Sequence, residues 1–79
     1  MEIEPLSLPG VMRLRPARHG DARGWFSETW SARALQAAGI ATTFVQDNVS
    51  YSAAVGTVRG LHYQAPPSAQ AKLVMVLTG

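Results

Sequence analysis

Phe44-Val45-Gln46-Asp47-Asn48-Val49-Ser50-Tyr51-Ser52, then Val58-Arg59-Gly60-Leu61-His62-Tyr63-Gln64, then Lys72-Leu73-Val74-Met75-Val76-Leu77 carry the fold reading of this chain. In the first block Phe44, Gln46, Asn48 and Ser50 share one face, the period-two pattern of a strand. Val55-Gly56-Thr57 turns the chain into the second block, and Ala65-Pro66-Pro67-Ser68 breaks it. The third block is apolar on both faces, as expected of a strand covered from both sides, and reads as buried. Short strands punctuated by Gly and Pro predict an all-β sandwich or barrel.

Toward the N-terminus, Val11-Met12-Arg13-Leu14-Arg15 is a short strand candidate stopped by Pro16. Arg18 to Gly24 holds two glycines and an aspartate and reads as a turn, after which Trp25-Phe26-Ser27-Glu28-Thr29 resumes a strand pattern. Ser31 to Ala38 is the one helix: Ser31 is placed to cap it, Ala and Leu fill it, and Gly39 ends it. Thr78-Gly79 follows the last strand, and Gly79 reads as the opening of a turn toward another strand. A sheet cut there leaves an unpaired edge, so the expectation is the N-terminal portion of one longer domain.

At 79 residues the chain is one domain or less. A chain so short buries only about 60% of its unfolded surface, which leaves a marginal core. Hydrophobic content of 47% with 15% charged residues argues for a globular protein and against disorder. The net charge is +2, from scattered arginines and Lys72, a poor footprint for nucleic acid. No cysteine is present, so there is neither a disulfide framework nor a thiolate metal site, which is compatible with a cytoplasmic protein. Met1-Glu2-Ile3-Glu4-Pro5 is acidic and does not read as a signal peptide. No apolar run approaches the about 20 residues needed to cross a bilayer.

Lys72, the only lysine, enters an apolar run, and burying a lone ammonium there is expensive unless it meets a partner or solvent. His62 lies ten residues before it, on what reads as a neighbouring strand. A base and a cation facing one pocket suit proton abstraction beside a ketone: the base takes the proton from carbon, and the cation holds the enolate oxygen. In an unbroken strand Arg59 and His62 point to opposite faces, and a bulge at Gly60 would bring them together. His19 reads as a turn residue, and Arg13, Arg15, Arg18 and Arg33 as solvated surface. Trp25, Trp30 and Phe44 fit ordinary core positions. Two histidines without further ligands in specific geometry do not make a metal site.

Three blocks together resemble the dTDP-4-dehydrorhamnose 3,5-epimerase family: Asp21-x-Arg23-Gly24-x-Phe26-x-Glu28, Phe44-Val45-Gln46-Asp47-Asn48-x-Ser50-x-Ser52, and Gly56-Thr57-x-Arg59-Gly60-Leu61-His62-x-Gln64-x-Pro66-Pro67-x-Ala69-Gln70-x-Lys72-Leu73-Val74. The resemblance covers nearly the whole chain but only about the first half of a family member. It implies a cupin-type jelly-roll β-sandwich, of which this chain is an N-terminal part with one short helix, and a homodimer with no metal or organic cofactor. His62 then matches the base that removes protons from C3 and C5 of a 4-keto sugar, and Lys72 the group that holds the C4 oxygen. Arg23, Phe26, Glu28, Gln46, Asn48 and Arg59 match positions that bind the nucleotide-sugar. The arginine forks suit the diphosphate. The family's proton-donating tyrosine and the aspartate that orients the histidine belong to the later half, and neither Tyr51 nor Tyr63 matches that tyrosine. These first-half blocks are shared by relatives that epimerise a single carbon or serve another deoxysugar pathway. A non-catalytic remnant that binds nucleotide or dimerises is the alternative of a different class.

Overall fold

The computed structural model describes residues 1–79, which divide into two compact units, Met1–Ala41 and Thr42–Gly79. All regular secondary structure lies in the first. Strand β1 (Glu2–Pro5) pairs antiparallel with β2 (Met12–Arg15), with Ile3 opposite Leu14 and Glu4 opposite Arg13. Alternation along the two strands turns Ile3 and Leu14 to the half-buried side. Glu4 and Arg13 fall on the other face, where they form an ion pair, with Arg15 3.6 Å from the same carboxylate. The arginines are therefore surface residues, as expected, but paired ones. The expected strand Val11–Arg15 forms over Met12–Arg15. Its partner β1 is absent from the sequence pattern, because four residues ending in proline carry no periodic signal of their own.

Strand β3 (His19–Asp21) pairs with β4 (Gly24–Phe26) in a second antiparallel hairpin closed by Ala22-Arg23. The turn read over Arg18 to Gly24 is thus compressed to two residues, and the flanking ones are strand. Gly24, at φ 139°, adopts a backbone conformation that a side chain would strain. The strand expected from Trp25 to Thr29 stops at Phe26.

Helix α1 (Ala32–Ala37) forms where expected. The Ser31 hydroxyl accepts the Ala34 N–H at 3.3 Å, satisfying one of the first-turn donors. At the other end Gly39, at φ 85°, lets its N–H reach the Gln36 carbonyl at 3.0 Å, while the Ile40 N–H reaches Leu35 at 2.8 Å. That bond pair is a Schellman cap, and Leu35 and Ile40 sit at the positions whose apolar contact accompanies it. Leu35, 3% exposed, is the buried hydrophobic residue of the chain.

Residues 42–79 contain no helix and no strand, which corrects the expectation of strands over Phe44–Ser52, Val58–Gln64 and Lys72–Leu77. The turns between them do form. Thr57 donates its N–H and its hydroxyl to the Ala54 carbonyl, and Ser68 N–H reaches Ala65 at 2.9 Å around a cis Pro66-Pro67 bond. A turn closes on itself within four residues, whereas a strand exists only through a ladder to a neighbour. Without that ladder Leu73 to Leu77 is not buried; its side chains are 42% to 82% exposed. Two antiparallel hairpins are the β structure formed here, beside one short helix, and residues 42–79 add no further strand to them. No helix is long and apolar enough to cross a membrane.

Candidate functional site

Arg23, Phe26 and Glu28 belong to the first unit, and Gln46, Asn48, Arg59, His62 and Lys72 to the second. Arg23 occupies the β3–β4 turn. Asp21 Oδ1 accepts the Arg23 main-chain N–H at 2.8 Å, and Oδ2 accepts Nη2 at 2.7 Å and Nε at 3.2 Å. The aspartate thus closes the turn and holds one side of the guanidinium. Phe26, at the end of β4, is 72% exposed. It lines an open depression of about 230 Å³ together with Glu28, His19 and Met1. It also lines a second depression, about 260 Å³, with Arg23, Asp21 and Trp25. The Arg18 guanidinium stacks over the Trp25 ring at 4.3 Å. His19, read from the sequence as a turn residue, is a wall of both depressions, because pairing in β3 sets it opposite Phe26. Only that hairpin register would have identified it.

The Arg23 guanidinium, helped by the Arg23 main-chain N–H, holds the Asp21 carboxyl below the usual carboxylate value, and Asp21 raises Arg23 in turn. A carboxylate depressed in the fold adds stability that is present above its unfolded pKa and lost as pH falls through the folded one. Asp21 is exposed, so the gain is small and the titration itself is the better readout. An NMR titration of the Asp21 carboxyl carbon is expected to show a midpoint below the ordinary aspartate value, and Arg23→Gln to raise it. An unmoved midpoint in that variant would show that the ion pair does not form.

In the second unit Gln46 Nε2 donates to Asn48 Oδ1 at 3.2 Å, which sets the two amides side by side without a strand beneath them. Arg59 donates Nε to Ser52 Oγ at 2.9 Å and Nη2 to the Tyr51 carbonyl at 3.1 Å. His62 Nδ1 lies 2.6 Å from the Gly60 carbonyl oxygen. A carbonyl only accepts, so this bond requires the proton on Nδ1, and in the neutral ring it leaves the lone pair on Nε2. Lys72 Nζ donates to the main-chain carbonyl of His62 at 3.1 Å, which ties the lysine to the backbone of that residue and not to its imidazole. With no strand over 58–64, neither alternation nor a bulge at Gly60 arises, and the hydrogen bonds of Arg59 run to Tyr51 and Ser52 instead of to His62. All five side chains are exposed.

Two comparisons give this arrangement a context. The family model described as dTDP-4-dehydrorhamnose 3,5-epimerase matches residues 5–79. Curated proteins of that name match the whole chain: one from Sinorhizobium fredii at 44% identity, one from Shigella flexneri at 41% and one from Pseudomonas aeruginosa at 45%. The chain spans 40%, 44% and 43% of their respective lengths. No solved structure matches it. Because the family model covers all but the first four residues, including the blocks that hold Arg23, Gln46, Arg59, His62 and Lys72, this chain belongs to the dTDP-4-dehydrorhamnose 3,5-epimerase family.

Proposed function

We propose that these residues are the first portion of a single epimerase domain that inverts C3 and C5 of dTDP-4-dehydro-6-deoxy-glucose to give dTDP-4-dehydro-rhamnose. The observation that carries the reading is the bond from Lys72 to the His62 main-chain carbonyl, with His62 Nδ1 held by the Gly60 carbonyl and Nε2 turned away from it. His62 Nε2 takes the proton on the carbon next to the ketone. The electron pair moves onto the C4 oxygen, where the Lys72 ammonium, with donors to spare, stabilises the enolate. Reprotonation from the opposite face inverts the carbon. Arg23 and Arg59 neutralise the diphosphate, while Phe26, Glu28, Gln46 and Asn48 hold the rest of the nucleotide-sugar. In this reading the domain is a cupin-type jelly roll that works as a homodimer in the cytoplasm, and the residues that follow supply the ladder partners for 44–52, 58–64 and 72–77. The proton-donating tyrosine and the partner of His62 come with them.

The test incubates the full-length protein carrying this segment with dTDP-4-dehydro-6-deoxy-glucose in deuterium oxide. Deuterium is expected at C3 and at C5, with the rhamno-configured product forming alongside. Label at one carbon only would identify a single-carbon epimerase, and no label at either would refute the reading. The 79 residues alone are expected to be inactive, since they hold at most the first half of the proton shuttle.

A further inference from the structure

We propose that Ser52 is a positioning residue for Arg59, fixing one side of its guanidinium before the diphosphate of a nucleotide-sugar arrives. The proposal rests on the reading of Arg59 as a diphosphate contact. Arg59 reaches back along the chain, giving Nε to the Ser52 hydroxyl at 2.9 Å and Nη2 to the Tyr51 carbonyl at 3.1 Å. These two donors lie on the same side of the planar fork, so one whole side is occupied by neighbouring acceptors. The turn at Ala54–Thr57 makes this return possible: both the N–H and the hydroxyl of Thr57 bond the Ala54 carbonyl, and Gly56 supplies the left-handed φ of 80°. Nη1 takes no partner, which leaves the outer end of the guanidinium for an anion.

A guanidinium binds phosphate oxygens through paired, coplanar donors, so its orientation matters as much as its charge. An arginine stem has many rotamers, and ordering it during binding weakens the complex; ordering it beforehand removes that loss. The Tyr51 acceptor is main chain and no side-chain substitution removes it. The Ser52 hydroxyl is the removable half of the clamp, and it can accept from Arg59 while keeping its own proton free to donate. A serine that merely closes the loop predicts something different: its loss would destabilise the segment whether or not Arg59 were present.

The experiment measures thymidine diphosphate affinity by calorimetry, together with KM and kcat, on the full-length protein carrying this segment. Ser52→Ala is expected to weaken binding and raise KM by about 3–10-fold, the scale of one hydrogen bond to a charged group lost at an exposed site. Its kcat should be unchanged, because the clamp serves ground state and transition state equally. Ser52→Thr should restore affinity, and Ser52→Val, of similar shape without the hydroxyl, should behave like Ser52→Ala. In an Arg59→Ala background the Ser52→Ala change should add nothing, the signature of two residues acting as one unit. Wild-type affinity in Ser52→Ala and Ser52→Val, with Arg59→Ala still weakened, overturns this proposal alone. So does a Ser52 effect that persists without Arg59. Wild-type affinity in Arg59→Ala overturns both the proposal and the assignment of Arg59.

Discussion

His62→Ala, in the full-length protein, is expected to abolish exchange of the C3 and C5 hydrogens with solvent deuterium while nucleotide-sugar binding stays close to wild type. A positioned general base contributes about 10²–10⁴-fold, and exchange reads the proton-abstraction step directly. The Gly60 carbonyl at 2.6 Å accepts the Nδ1 proton, so in the neutral ring the lone pair is on Nε2, at the far side of the ring from the main chain. Removing the imidazole removes that lone pair and leaves the Gly60 carbonyl exposed to water, a change with little structural cost at an exposed position. The measurement is a proton NMR time course in deuterium oxide. Wild-type exchange at both carbons would eliminate His62 as the base.

Lys72→Met should cut turnover by about 10²–10³-fold, the loss that follows removal of one donor aimed at a developing oxyanion. Substrate affinity should fall far less, because the ketone oxygen carries little charge until the enolate forms. Methionine keeps the length and apolar stem of lysine and deletes only the ammonium, so the comparison isolates the charge. Lys72 spends one donor on the His62 carbonyl at 3.1 Å, and an ammonium has three, which leaves capacity for an oxygen of the substrate. Binding and turnover falling together would instead make Lys72 a contact to the diphosphate. The two variants also differ in what remains: without His62 no proton leaves carbon, whereas without Lys72 exchange persists at a reduced rate.

The helix and the turns were legible because each is closed by bonds between residues a few positions apart. Ser31 caps α1 and Gly39 ends it because a hydroxyl and a positive φ act on the nearest backbone groups. Gly56 and Pro66-Pro67 mark the turns that formed for the same reason. The family blocks were legible too, since residue types and spacing identify a family without any contact being made. Strand pairing is another matter. Nothing in Glu2–Pro5 announces that Met12–Arg15 lies beside it, and the alternation of Phe44–Ser52 looked complete yet produced no ladder. A strand's hydrogen bonds belong to its neighbour, so pattern proposes a strand and only the presence of a partner at the right register makes one. The same dependence placed His19 on the walls of two depressions and tied Arg59 to Ser52, contacts that arise from how a turn returns the chain and not from any single residue's type.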